Sequence, residues 1–134
     1  EELNVNEVVL LKGEGFHLDT FFTPALDKDG YIVALIICEK LLNPQSKKTL
    51  FDYADNSNVP IFNIPENDAL GTKTQTGKFS VNALPLPGIL LRPDYFSNPI
   101  IDEQLSELGI KTKITPTSQF QLSGGSVHCV TNEL

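Results

Sequence analysis

The chain has 134 residues, 40% of them hydrophobic and 20% charged, with a formal net charge of −7, which fits one globular domain and not a disordered segment. The acidic balance argues against nucleic acid, whose phosphates need Lys and Arg to neutralise them, and against anionic membrane surfaces. The longest apolar run, 32–38, is far shorter than the roughly 20 residues that cross a bilayer.

In chain order, apolar or alternating stretches bounded by turn residues predict strands at 5–11, 17–23, 31–38 and 59–64. Further strands are expected at 79–84, 89–92, 110–114 and 127–131. Asp27-Lys28-Asp29-Gly30 is a hairpin turn between the second and third of these. A weaker helix is expected over 46–54, with Leu50 and Tyr53 inward. The clearest helix starts at Asn98 as N-cap with Pro99 at the first helical position. It carries Ile100, Ile101, Leu105 and Leu108 along one face and is stopped by Gly109. Asp102, Glu103 and Glu107 are read as its solvated face. The order strand, strand, helix, strand thus occurs at 17–64 and again at 79–114, a repeat of about sixty residues.

The acidic N-terminus and its brief apolar run are not those of a secretory leader. Two cysteines, Cys38 and Cys129, with neither a zinc spacing nor a disulfide-dense pattern, point to a reducing cytoplasm. The chain holds no methionine, so it is expected to be a processed product or a fragment of a longer one.

Chemistry-bearing residues gather in two segments. Cys129 lies in Gly124-Gly125-Ser126-Val127-His128-Cys129-Val130-Thr131, and His17 and Asp19 lie in His17-Leu18-Asp19-Thr20-Phe21-Phe22-Thr23. Together they offer a thiol nucleophile, an imidazole and a carboxylate. Residues two apart on a strand share a face, so Asp19 is placed beside His17, whereas His128 points away from Cys129 and is read as structural. Cys38 ends an apolar run and is read as core. A metal held by His17, Asp19, His128 and Cys129 lacks any supporting spacing. The double glycine is not a phosphate loop, since no Gly-Lys-Ser/Thr follows. A redox role lacks a resolving cysteine near Cys129.

These two segments, in this order, resemble the guanidino-group-modifying enzymes: the arginine, agmatine and peptidylarginine deiminases, their dihydrolase relatives and the amidinotransferases. The C-terminal segment matches the family's Gly-Gly-x-x-His-Cys-x-Thr pattern, and the first resembles its His-x-Asp strand. The resemblance implies an α/β fold, a partial α/β propeller (pentein) built from ββαβ modules. About half of the complete five-module fold would be present, with residues 1–134 as the C-terminal portion of the catalytic domain. It implies Cys129 as nucleophile and His17 as general acid and base. Asp19, Gly124 and Gly125 would meet the substrate, and Thr131 would support Cys129.

The implied substrate is a small cationic guanidino compound, arginine-like or agmatine-like, hydrolysed through an amidino-cysteine intermediate without metal or organic cofactor. An amidinotransferase would use the same residues, with an amine replacing water. The family's remaining carboxylates come from an N-terminal half, and Glu1 and Glu2 precede His17 too closely to stand for them. A homo-oligomer, or pairing with a chain that carries that half, is therefore expected. The rival reading is a non-catalytic fragment or binding subunit, joined to a partner through unclosed propeller edges.

Overall fold

The computed structural model describes residues 8–15 and 17–131. Its first unit opens with β1 (Phe22–Leu26) and β2 (Ile32–Ile37), an antiparallel pair with Ala25 opposite Ala34. The turn between them is closed by Asp27, whose carboxylate accepts from the N–H groups of Asp29 and Tyr31 at 2.9 Å each. Gly30 takes the positive φ of 87° that the turn requires. Helix α1 (Pro44–Ser57) follows and returns the chain to β3 (Ile61–Asn63), which lies parallel to β2. Parallel neighbours need such a crossover. The helix is longer than 46–54 because Asn43 caps it, accepting from Ser46 N at 2.7 Å, with Pro44 at its first position. Leu50 is buried as expected, while Tyr53 is 36% exposed.

A short exposed hairpin, β4 (Gly71–Thr72) with β5 (Gln75–Thr76), leads to the second unit. There β6 (Leu84–Leu86) pairs antiparallel with β7 (Ile89–Arg92), and α2 (Pro99–Glu107) crosses to β8 (Lys111–Ile114), parallel to β7. The sheet of each unit is therefore three-stranded with its strands in chain order, β1-β2-β3 and β6-β7-β8. The four-residue helix α3 (Ser118–Gln121) precedes the C-terminal segment. Central strand β2 contributes Leu35, Ile36 and Ile37 to the core, all at 1% exposure or less. An apolar run buried on both faces reads this way. Cys38 continues it at 0% exposure, and burial pushes its thiol up from the ordinary range.

Several sequence expectations are corrected. Residues 17–23 do not form one strand: Leu18–Thr20 is a 3-10 turn, and the strand starts at Phe22. Thr20 causes this locally, since its hydroxyl donates to His17 O at 2.5 Å and folds the chain back. Residues 79–84 run as buried turns, with Phe79 at φ 55°, and only Leu84 enters a strand. The expected strand at 127–131 is a 3-10 turn, His128–Val130. Of the expected strand at 5–11, residues 5–7 lie outside the described residues and 8–11 have no regular structure. Helix α2 has its Asn98 cap, with Oδ1 accepting from Ile100 N at 3.2 Å, but a nine-residue helix on a small sheet buries a narrow stripe. Ile101 and Leu105 face the core, whereas Ile100 is 54% and Leu108 36% exposed. Asp102 is not on a solvated face: it pairs with the fully buried Arg92.

Candidate active site

His17 stands as the extended cap of the 3-10 turn Leu18–Thr20, which carries Asp19. Cys129 sits in the middle of another 3-10 turn, His128–Val130. Although 112 positions separate His17 from Cys129, the ligand atoms of His17, Asp19 and Cys129 all lie within 4.8 Å of one another. Asp19 is the hub. Its Oδ2 accepts from Cys129 Sγ at 3.4 Å and lies 3.0 Å from His128 Nδ1. Its other oxygen, Oδ1, is buried and has no hydrogen-bond partner among the described residues. A carboxylate oxygen left in that state is ready to accept from an N–H donor.

The 3-10 geometry overturns the expectation for His128. On a strand, neighbours diverge; on a tight turn, successive side chains fan out by about 120° and can reach one group. His128 and Cys129 both meet the same oxygen of Asp19. The double glycine shapes the approach to this turn. Gly124 holds a φ of 81°, and a Cβ added to Gly125 would lie 3.3 Å from Cys129 Cβ. The N–H groups of both glycines donate back to helix α3, to Gln121 O at 3.0 Å and Phe120 O at 3.2 Å. The turn is closed by Thr131, whose hydroxyl donates to His128 O at 2.8 Å, and the loop is pinned by the buried hydroxyl pair Thr117 and Ser126 at 2.6 Å.

Sequence reasoning missed Asn82. It is fully buried, on the turn segment taken for a strand, and its Nδ2 donates to Cys129 Sγ at 3.2 Å. A buried Asn inside an apolar stretch (Val81-Asn82-Ala83) was the available signal, because a carboxamide placed there needs partners.

Beside these groups lies a cleft of about 320 Å³, whose walls include His17, Asp19, Phe22, Thr23, Pro85 and His128. That is the lower end of the size range of small-molecule sites. Its lining combines the polar side chains of His17, Asp19, Thr23 and His128 with the apolar Phe22 and Pro85. The three donors His17, Asp19 and Cys129 are also close enough to share one metal ion.

A thiol, an imidazole and a carboxylate gathered beside a cleft, on a chain of ββαβ units, resemble the guanidino-group-modifying enzymes that the two motifs pointed to. Solved structures similar to this chain are enzymes of that kind. The N-terminal domain of ArgZ, an arginine dihydrolase from the ornithine–ammonia cycle in cyanobacteria, bound to its substrate, aligns with a TM-score of 0.69 and 26% identity. That alignment covers 91% of this chain and 40% of that one. The apo structure of ArgZ gives a TM-score of 0.64 at 25% identity over 85% of this chain. The amidinotransferase SxtG of Microseira wollei gives 0.58 at 14% identity over 92% of this chain, a likeness of fold alone. The chain spans only 15% of the chain in the apo ArgZ structure and 33% of that of SxtG. No protein-family model and no curated protein sequence matches it.

Among the described residues, no helix is long and apolar enough to cross a membrane.

Proposed function

We propose that this chain carries the nucleophile of a cysteine-dependent guanidine hydrolase, acting on a small substrate such as arginine or agmatine. The observation that supports this most is the convergence of His17, Asp19 and Cys129 within 4.8 Å. Substrate binding by the ArgZ domain, at 26% identity, supports the guanidino class.

The guanidinium is placed against Asp19, whose Oδ1 lacks another partner among the described residues and accepts N–H bonds from it in a charge-assisted pairing. The cation also prepares the thiol. Two negative charges at the 3.4 Å that separates Cys129 Sγ from Asp19 would repel, and a guanidinium beside both removes that opposition. Cys129 gives its proton to His17, and the resulting thiolate attacks the guanidinium carbon, forming a C–S bond and a tetrahedral adduct. His17 gives a proton to the departing nitrogen, which leaves as ammonia while the remaining amidino group stays on sulfur. His17 then takes a proton from water, the water oxygen bonds to carbon, and the C–S bond breaks to give a ureido product and the thiolate.

The remaining carboxylates of such a site are proposed to come from sequence outside this chain. The chain would then be about half of a five-module propeller, completed by a second copy or by a chain bearing the other half. A compartment of reducing character, the cytoplasm, suits a free thiol of this kind. An amidinotransferase is the second reading: Cys129 and His17 are both exposed, so an amine could take the place of water.

The test is product analysis of the assembled protein with L-arginine and with agmatine, each with and without an added primary amine. The expected result is ammonia and a ureido product in equal amounts. Transfer of the amidino group to the amine would select the second reading. Neither product from either substrate would refute both.

A further inference from the structure

We propose that Asn82 is the positioning residue of the nucleophile, holding the turn that carries Cys129 and directing an N–H bond at its sulfur. The proposal rests on the reading of Cys129 as the attacking thiolate. The first N–H groups of any helical turn have no acceptor within it. In the turn His128–Val130 those donors are His128 N and Cys129 N, and both are met by Asn82 Oδ1, at 3.1 and 3.4 Å. His128 N also reaches the main-chain oxygen of Asn82 at 3.3 Å. Asn82 thus caps, from a distant part of the chain, a turn whose own preceding residue, Val127, offers no capping side chain.

The orientation of the carboxamide follows from this. Two N–H donors on one side require its oxygen there, so its Nδ2 must face the other way. On that side it donates to Cys129 Sγ at 3.2 Å and to the main-chain oxygen of Asp19 at 3.5 Å. One buried side chain therefore links the nucleophile, the amides of its turn and the segment of the guanidinium-binding carboxylate. The Nδ2–H bond to sulfur fixes the rotamer from which the sulfur attacks. Among the described residues His17 and Asp19 also lie close to Cys129, and Asn82, unlike them, has no titratable group.

Asn82→Asp separates this role from a purely structural one. It preserves shape and an acceptor for both amides, but it turns the donor at sulfur into an oxygen. The rate of Cys129 alkylation by iodoacetamide, read by mass spectrometry at one fixed pH near neutrality, is expected to fall about tenfold or more, the scale of one charge-assisted bond. In the same variant kcat should fall with KM nearly unchanged, because Asp19 and not Asn82 meets the substrate. Native-rate alkylation in a folded Asn82→Asp protein overturns the proposal. Should that variant not fold, Asn82→Ser leaves room for water to satisfy the two amides and is read in the same way. Hydrogen exchange on the unmodified protein gives a further reading: the His128 and Cys129 amides must be protected, and exchange at the rate of an unstructured peptide overturns the proposal whatever the variants do. Iodoacetamide is neutral, so its rate does not depend on guanidinium recognition. Slowed alkylation in the variant, together with no guanidine turnover by the unmodified assembled protein, would support the role of Asn82 and refute the proposed substrate class.

Discussion

Cys129→Ser is expected to reduce guanidine turnover by at least about a thousandfold, the scale on which removal of a covalent nucleophile is felt. The side chain is exposed and the change is close to isosteric, so the loss should come without loss of fold. Asn82 Nδ2 and Asp19 Oδ2, at 3.2 and 3.4 Å from the sulfur, can bond a hydroxyl as readily as a thiol. What changes is the nucleophile: a serine hydroxyl holds its proton far more tightly, and a guanidinium carbon is too weak an electrophile to draw it off. Substrate should still bind, since Asp19 is untouched. Steady-state kinetics and equilibrium binding on the same preparation check both halves of the statement. Turnover within tenfold of the unmodified protein would show that Cys129 is not the nucleophile.

The largest effect on stability is expected from Asp102→Ala. Arg92 is fully buried at the end of β7, stacked with its guanidinium carbon 3.8 Å from the Phe96 ring centroid. Among the described residues its Nε and Nη1 have no hydrogen-bond partner, and Asp102 takes Nη2. Burial pushes the Arg92 guanidinium down from its ordinary range, against the pull of Asp102, and pushes the Asp102 carboxyl up, against the pull of Arg92. Each ion is thus costly where it sits and tolerated because of the other. Removing the carboxylate leaves a buried cation unpaired, a loss of about 3–5 kcal/mol. Replacing Arg92 by methionine removes the charge itself and should cost less. Denaturant titrations of both variants give the comparison, and a loss below about 1 kcal/mol for Asp102→Ala would mean that Arg92 is stabilised by something other than this pair.

How far the sequence could be read depended on whether local chemistry or distant contacts decide each element. Strand β7 and the Asn98–Pro99 start of α2 were legible, because an apolar run and a cap act within a few residues. The central strand announced itself by being apolar on both faces. His17, Asp19 and Cys129 were legible as residue types, and their convergence followed from the family resemblance, not from any local pattern. The turns were not legible. His17–Thr23 and Val127–Thr131 alternate like strands, yet Thr20 folds the first back on His17 O, and the second is capped by Asn82, 46 positions before His128. No window of neighbouring residues contains that contact. The same error displaced His128, whose direction was inferred from strand geometry and which meets Asp19 at 3.0 Å. Arg92–Asp102 was hidden in another way, because an acidic residue on an amphipathic helix reads as solvated until the strand beneath it is known to present an arginine.

The measurement that bears most directly on the proposed site is the denaturing intact mass of the protein after exposure to a chloroacetamidine reagent. The reagent is a planar cation carrying an electrophile, so a carboxylate that grips a guanidinium should guide it to the thiol. Rapid single labelling at Cys129, suppressed by arginine or agmatine and leaving buried Cys38 unmodified, is the predicted result. Labelling of Cys129 no faster than that of a simple thiol, with no protection by either compound, would contradict the account.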